Sequence, residues 1–361
     1  MTTTVSRQAL NRATLERQLL LRRAKMSAFD AVEHLAGLQA QAPFPPYYAL
    51  WARLHGFRPA DLATLLESRR VVRIALMRGT VHLVTAADAL AWRPVVQVLY
   101  DRDLKQNTQH AAALAGLDHA EVASAARELL AASALSGTAL GAELARRWDV
   151  PAASLTHLAR GRLPLVQTPP RAIWGKAGQT TYACLDEWVG AQLPPPAPAS
   201  LIARYLRAFG PATVADVQAW AGITRLGEVA AAMDLRRYRD PDGRELIDLP
   251  ELAIPDEDVP APPRLLGPFD QMILSYADRT RVVSDAYRKR VITQNGLVKG
   301  TLLVGGYVRG FWERKATVVE LSPFEKLPKR DLAALESAAG RLLSWAEPAA
   351  ESREVRINAP S

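Results

Sequence analysis

Cysteine is almost missing from this chain of 361 residues, which contains only Cys184. A single thiol excludes an internal disulfide, and it also excludes a metal cluster held by cysteines. Histidine is scarce too, and its six positions lack the close spacing that metal ligands share. The sequence therefore predicts a protein that holds no metal.

Long apolar runs are also absent. Residues 1–7 lack the hydrophobic centre of a signal peptide, and no later run reaches the length of a membrane span. The sequence contains no heptad repeat that would indicate a coiled-coil dimer. With 49% hydrophobic and 23% charged residues, the composition is typical of a globular protein with a large core. We expect a cytoplasmic monomer with no membrane partner.

Lysine is rare as well, because eight of the 45 basic residues are lysines and 37 are arginines. Acidic residues number 37, so the formal net charge is +8 and the isoelectric point is about 9.7. The planar guanidinium of arginine binds phosphates and base edges better than the ammonium of lysine. The charge balance favours a nucleic-acid partner. The alternative is a compositional bias, since alanine, proline and glycine are plentiful too.

Two proline-rich stretches, 193–199 and 250–263, divide the chain in the manner of linkers. The segment between them predicts a helix at 201–209, a second helix opened by the capping box Thr213-x-x-Asp216, a third helix at 225–233, and a hairpin within 235–249 that turns at Asp242-Gly243. Three helices followed by a hairpin are typical of a winged helix.

The same order of helices and strands is found twice upstream. Strands are predicted at 71–77 and 81–85, and again at 164–167 and 180–185, each pair after a series of helical patterns. Beyond residue 264 the chain becomes a glycine-rich series of strands, predicted at 291–294, 300–304, 307–312 and 316–321, and it ends in a helix at 329–345. The predicted fold is therefore α+β, with three tandem winged-helix domains at 1–108, 109–192 and 198–250. A C-terminal β-barrel-like region with a terminal helix follows at 264–361.

The third helix of each unit is poor in side chains that read bases. A sequence-specific regulator needs Arg, Asn, Gln or Lys there, whereas the helix at 152–159 offers only Ser154, Thr156 and His157. We therefore interpret the winged helices as a scaffold. Better candidates for DNA contacts are basic residues on the wings or beside aromatic residues, namely Arg78, His82, Arg171, Arg237, Arg279 and Arg281. The alternative for each is a solvated surface or, for His82, a strand residue that packs inward.

The motif Gln39-Ala40-Gln41 is the place where polar groups look aligned. Pro43 disfavours helical backbone at the residue before it, so the helix that enters through 31–38 should end near Gln39. Residues two apart share one face of an extended segment but not of a helix. Both amides can then point into one cleft, beside pocket candidates that follow the motif: Tyr47, Tyr48 and Trp51. The alternatives are ordinary surface glutamines and aromatic residues of the core.

Taken together, these segments resemble a known family, the AlkZ/YcaQ-type winged-helix DNA glycosylases. The resemblance rests on Gly37-Leu38-Gln39-Ala40-Gln41-Ala42-Pro43 and on the segments 49–54, 76–84, 169–175, 205–213, 268–270 and 305–312. Several ordered matches over most of the chain are more specific than any one motif.

The resemblance implies three winged helices in a C-shaped clamp around duplex DNA, with Gln39 and Gln41 as the catalytic residues. The Gln-x-Gln form is associated with AlkZ-like enzymes, which remove N7-alkylpurines and unhook interstrand crosslinks. The Gln-x-Asp form of the YcaQ-like branch, which handles mustard-type lesions more broadly, is not present here.

The function implied is that of a monofunctional DNA glycosylase that needs no cofactor. It would act at the nucleoid on double-stranded DNA that carries alkylated purines or crosslinks. The alternative is a non-enzymatic winged-helix DNA-binding protein, either a regulator or a binder that confers resistance to a genotoxin.

Overall fold

The computed structural model describes residues 3–293 and 295–360 of the chain. Its α-helices are α1 (Arg7–Arg17), α2 (Ala28–His34), α3 (Pro45–Arg53), α4 (Pro59–Glu67), α5 (Ala86–Val95), α6 (Gln97–Gln106), α7 (Ala111–Leu114), α8 (His119–Ala132), α9 (Gly137–Leu144), α10 (Ala152–Arg162), α11 (Leu185–Val189), α12 (Pro198–Phe209), α13 (Val214–Ala221), α14 (Leu226–Ala231), α15 (Asp285–Val291) and α16 (Lys329–Ala346). Short 3-10 turns occupy Met77–Gly79 and Gln271–Ile273.

The strands are β1 (Thr3–Thr4), β2 (Leu38–Gln39), β3 (Val71–Ala75), β4 (Val81–Thr85), β5 (Leu135–Ser136), β6 (Leu165–Gln167), β7 (Thr181–Cys184), β8 (Arg236–Arg239), β9 (Glu245–Asp248), β10 (Arg264–Leu266), β11 (Gly300–Val304), β12 (Tyr307–Lys315), β13 (Val318–Pro323) and β14 (Glu354–Ile357). The fold is α+β, as the sequence predicts. None of the described helices combines the length and apolar character needed to cross a membrane.

The segment between the two proline-rich stretches has the elements that its sequence indicates. Thr213 and Asp216 form a reciprocal capping box at the start of α13, and Gly222 ends that helix with a φ of 80°. Strands β8 and β9 then form an antiparallel hairpin. An additional strand, β1, pairs parallel with β8 and brings the N-terminal segment into this sheet.

The hairpins of the first two predicted units belong to one sheet. Strands β3 and β6 pair antiparallel, with Arg73 opposite Gln167 and Ile74 opposite Val166. The result is a six-stranded sheet in the order β2-β4-β3-β6-β7-β5. One core cluster, which includes Leu38, joins α2–α4 to the C-terminal region, and another, which includes Ile74, joins the opposite face of the sheet to α12–α14. The domain boundaries and the C shape stay predictions.

Two buried ion pairs tie the N-terminal helices to distant parts of the chain. Arg53 of α3 donates to both carboxylate oxygens of Asp270, at 2.7 and 2.8 Å, and both side chains are fully buried. Asp270 also accepts from the N–H of Met272, so it caps the turn that it begins. Arg17 of α1 pairs in the same bidentate way with Asp248 of β9. Separating the partners of a buried ion pair leaves an uncompensated charge, which is strongly destabilising. The two pairs therefore fix these elements relative to one another.

The C-terminal region is an open sheet rather than the predicted barrel. Its order is β10-β11-β12-β13-β14, and within the described residues β10 and β14 are its two edges. Helix α16 contacts β10, β13 and β14, so it covers the sheet where closure of a barrel would require strand pairing. A strand was expected at 291–294 as well. Instead, Val291 ends α15, Ile292 makes an isolated bridge to Val298, and residue 294 lies outside the described residues.

Candidate functional site

Gln39 and Gln41 lie where the first edge strand of the six-stranded sheet ends. Gln39 closes β2 and lies opposite His82 of β4, which confirms extended backbone at Gln39, whereas Gln41 lies in the bend that follows. The preceding helix α2 ends at His34, earlier than predicted, because the chain turns with a φ of 81° at Gly37. A Cβ atom on Gly37 would lie 2.5 Å from Cγ1 of Val84. The turn therefore requires glycine to bring β2 against β4.

The amide oxygens of both glutamines are held against the beginning of β4. Nη2 of Arg78 donates to Oε1 of Gln39 at 2.9 Å, and the backbone N–H of Val81 donates to Oε1 of Gln41 at 3.1 Å. Gln39 is half-buried and Gln41 is exposed. An amide oxygen has two lone pairs, so each oxygen keeps one acceptor position for a water molecule.

Arg78 connects the motif to the third predicted unit. It lies in the β3–β4 turn with left-handed backbone (φ 55°, ψ 17°), and its Nη1 donates to the carbonyl of Trp220. A Cβ atom on Gly222 would lie 2.8 Å from Cα of Arg78, so the turn packs directly on the end of α13. Burial and, secondarily, the charge of Arg279 lower the pKa of Arg78 to about 10. Arg78 thus holds Gln39 in place, and its contact with DNA stays a prediction.

His82 is buried and neutral. Its side chain is 3% exposed, and Nδ1 lies 2.9 Å from the carbonyl oxygen of Thr80. Because a carbonyl can only accept, Nδ1 carries the proton and Nε2 is left as an acceptor. Burial, followed by the charge of Arg78, lowers the pKa of His82 to about 3. The inward-packed alternative is therefore the one observed, and a contact of His82 with DNA stays a prediction.

Arg73 is a candidate that sequence reasoning missed. It is 1% exposed, and its Nη2 donates to the carbonyl of Ala40, between the two glutamines, at 2.8 Å. Its Nε and Nη1 are buried without a hydrogen-bond partner in the described part of the chain. Burial and then the charge of Arg171 lower the pKa of Arg73 to about 10. A lone arginine within the apolar strand 71–75 is the signal that could have identified it.

The charged groups that act on this site are cationic. Arginines are the charged residues that shift the pKa values of His82 and Arg78, and no described carboxylate contributes to either shift. Arg279 lies close enough to lower the pKa of Arg78, and its own Nε is buried with no partner among the described residues. The site thus combines two oriented amides, a neutral histidine and neighbouring arginines. Such a positively charged environment suits the phosphates of a nucleic acid.

The comparison with known proteins decides the family. A family model described as "DNA glycosylase AlkZ-like" matches residues 32–345 of the chain. The chain belongs to the AlkZ-like DNA glycosylase family. It is therefore a DNA N-glycosylase, and the family predicted from the sequence is confirmed.

A curated protein and a solved structure that resemble this AlkZ-like glycosylase both come from Streptomyces sahachiroi. An interstrand DNA cross-link repair glycosylase is 25% identical over 372 residues, covering 91% of this chain and 93% of that protein. The solved structure of the DNA glycosylase AlkZ superposes with a TM-score of 0.77 at 23% identity, over 99% of this chain and 100% of that chain. The second comparison supports the α+β fold.

The predicted pocket residues of this AlkZ-like glycosylase belong to the core cluster that contains Leu38. Tyr47 is fully buried, and its hydroxyl donates to the carbonyl of Ala172 at 2.8 Å. Trp51 is buried as well, whereas Tyr48 is half-buried. The structure therefore agrees with the core interpretation for Tyr47 and Trp51. A direct pocket role for the three residues stays a prediction.

The other arginines predicted to contact DNA differ in how strongly their guanidinium groups are already bound by the protein. Arg281 donates to the carbonyl of Pro211 at 2.7 Å, and its guanidinium lies 4.7 Å from the ring centre of Tyr276. Arg171 donates to the carbonyl of Gly178 at 3.0 Å. Arg237 is exposed on a separate sheet, where it pairs with Glu245.

A second residue that the sequence analysis missed is Arg160. The predicted third helix of the second unit stops at Ala159, but α10 continues to Arg162. The additional turn presents Arg160 as an exposed side chain. The conclusion that this helix carries only Ser154, Thr156 and His157 was therefore incomplete.

Proposed function

We propose that this AlkZ-like glycosylase excises N7-alkylated purines from duplex DNA. A water molecule held by the amide oxygens of Gln39 and Gln41 attacks C1′ of the damaged nucleotide. The observation that carries this proposal is the pair of hydrogen bonds from Arg78 and Val81. Each bond fixes the direction of an amide oxygen and leaves that oxygen with one acceptor position.

The chemistry suits a site without a strong base. A glutamine amide cannot take a proton from water at neutral pH, so it contributes by positioning the nucleophile rather than by deprotonating it. An N7-alkylguanine already carries a positive charge on the base. The glycosidic bond breaks as the neutral base departs, which needs no general acid. Water forms the new bond to C1′ on the correct face of the sugar, and its proton then passes to solvent.

The cations around the motif are compatible with this reaction. Cleavage of a neutral base would separate charge, whereas cleavage of an N7-alkylpurine moves an existing positive charge from the base to the sugar. Arg78 and Arg279 therefore oppose the transition state little more than they oppose the bound substrate. The same arginines attract the phosphates on either side of the lesion.

Interstrand crosslinks are a proposed extension of this substrate class. The relative from Streptomyces sahachiroi is named as an interstrand DNA cross-link repair glycosylase. A crosslinked base cannot be flipped freely out of the duplex, so its excision requires a site that reaches the sugar without full extrusion. A half-buried Gln39 beside an exposed Gln41 is consistent with such a site. We further propose a nucleoid-associated monomer.

The test is base release from a duplex that carries N7-methylguanine. We expect release by the wild type and none by the Gln39→Ala/Gln41→Ala variant, with DNA binding nearly unchanged. The matched control is Gln106→Ala/Gln109→Ala, which removes two exposed glutamines of another segment. Release by the motif variant at the wild-type rate would exclude the proposed role of the amides. Absence of release by the wild type would exclude N7-methylguanine as a substrate.

A further inference from the structure

Two adjoining cavities run along α10 from the turn that carries Arg78. The first has a volume of about 470 Å³ and is lined by Arg78 and Gly79 on one side and by His157 and Arg160 on the other. The second, of about 410 Å³, shares His157 and Arg160 and continues to Thr138. Their shared walls make them one groove, which we name the α10 groove.

The α10 groove begins at the candidate catalytic site and lies where the three predicted units meet. Arg78, whose guanidinium holds Gln39, forms its first wall. Tyr100 of α6 and Gly222 at the end of α13 complete the walls of the first cavity. A DNA strand that passes Gln39 therefore reaches this groove next.

Arg160 supplies the groove with a positive charge that the protein itself does not neutralise. No described carboxylate lies within ion-pair distance of it, and its contact is with the ring of Tyr182, whose centre is 5.7 Å away. Asp103 is the acidic lining residue, and its carboxylate lies 3.1 Å from Nε2 of His157. Arg78 at the other wall adds a second guanidinium. The groove is therefore cationic overall, and its arginines have the geometry that binds phosphate.

We propose that the α10 groove binds the sugar–phosphate backbone of the DNA strand that leaves the lesion, with Arg160 contacting a phosphate. The identity of the ligand as DNA rests on the proposed function. An arginine can bind either a phosphate or a base edge, so the assignment to the backbone rests on the range of sequences that the enzyme must serve. A repair enzyme must engage lesions in any sequence, and a backbone contact serves that need.

The experiment compares Arg160→Ala with Arg162→Ala in binding to an undamaged duplex at several salt concentrations. Both residues are exposed on α10, and both changes remove one positive charge. Arg162, however, is not one of the described residues that line the groove, and it pairs with Asp101 at 3.0 Å. We expect Arg160→Ala to weaken binding several-fold and to reduce the slope of log affinity against log salt by about one unit. Arg162→Ala should stay close to the wild type, and equal effects of the two changes would overturn the proposal.

A second measurement locates the phosphate. Neutral methylphosphonate linkages are placed one at a time on either side of the lesion, and binding is compared for the wild type and Arg160→Ala. One linkage should weaken binding by the wild type and leave the variant unaffected, and absence of any such linkage would overturn the proposal. Binding to undamaged DNA does not depend on base release. Loss of binding in Arg160→Ala without any release by the wild type would therefore uphold the groove and exclude N7-methylguanine as a substrate.

Discussion

The guanidinium of Arg73 donates a 2.8 Å hydrogen bond to the backbone carbonyl of Ala40, the residue between the two glutamines. A fully buried arginine without a carboxylate partner is expensive to maintain, because desolvation penalises the charge. Burial lowers the pKa of Arg73 accordingly, to about 10. The bond fixes the backbone on which both amides depend, so its value lies in positioning the motif.

Replacing Arg73 by Met should therefore affect catalysis more than stability. The carbonyl of Ala40 would lose a partner, which costs about 1–3 kcal/mol, but removal of a poorly compensated buried charge offsets part of that loss. We expect a single-turnover rate of base release at least about tenfold lower. The free energy of unfolding, measured in urea, should change little. Arg73→Lys retains a donor and should recover part of the rate, whereas a Met variant with the wild-type rate would contradict the positioning role.

Gly222 should be required for more than the end of α13. Replacement by Ala puts a Cβ atom at a φ of 80°, which costs about 1–2 kcal/mol. It also places that atom 2.8 Å from Cα of Arg78, so the β3–β4 turn must move and carry Arg78 away from Gln39. We expect Gly222→Ala to lower both stability and base release.

Gly190→Ala is the matched control for this prediction. Gly190 ends α11 with a φ of 76°, but nothing lies within 4 Å of the position that its Cβ would take. It should therefore show the backbone cost alone, with base release unchanged. Similar loss of base release in both variants would show that the contact with Arg78 does not matter. Thermal unfolding and single-turnover release on the same preparations make the comparison.

The parts of the site that the sequence predicts are those fixed by close neighbours in the chain. Gln39 lies in extended backbone as expected, and the reciprocal cap of Thr213 and Asp216 starts α13 as expected. The Asp-Gly turn likewise gives the hairpin of β8 and β9. Each of these features depends on residues a few positions apart, so a local pattern is enough to reveal it.

The parts that the sequence does not reveal depend on distant segments. Pairing of β3 with β6 joins two hairpins that the sequence predicts as separate units. The alternation of apolar and polar residues does not specify which strands become neighbours. The burial of Arg73 follows from that pairing, since Gln167 lies opposite it. The contacts of Arg78 with Trp220 and Gly222 come from the third predicted unit. A wing-tip arginine therefore reads as a solvent-exposed DNA contact until the packing is known.

His82 gives a pH dependence of stability that can be measured apart from activity. Its pKa is about 3 in the folded chain, whereas an unfolded histidine titrates at about 6.5. Between these values the unfolded chain binds a proton that the folded chain does not. This residue therefore lowers the folding equilibrium constant by about tenfold for each pH unit below about 6.5, and the effect ends near pH 3.

The variant His82→Asn isolates that contribution. It keeps a side-chain N–H that can donate to Thr80, but it has no ring to titrate. Urea unfolding at about pH 7.5 and about pH 5 should show a larger loss of stability for the wild type than for the variant. Equal losses in the two proteins would mean that His82 becomes protonated in the folded state, against the direction set by its burial.

Arg279 and Arg281 lie two residues apart, and the structure predicts different consequences when each is replaced by Ala. Arg281 is held by Pro211 and stacks on Tyr276, so its loss should reduce stability. Arg279 has no ion-pair partner among the described residues, and it lies beside Arg78 at the motif. Its loss should leave the free energy of unfolding unchanged and reduce the salt dependence of DNA binding by about one unit. Fluorescence anisotropy at several salt concentrations measures the second effect.

The two changes would then separate a phosphate contact from a structural one. If Arg281→Ala lowered the salt slope while Arg279→Ala did not, the phosphate contact would belong to Arg281, and its hydrogen bond to Pro211 would have to open on binding.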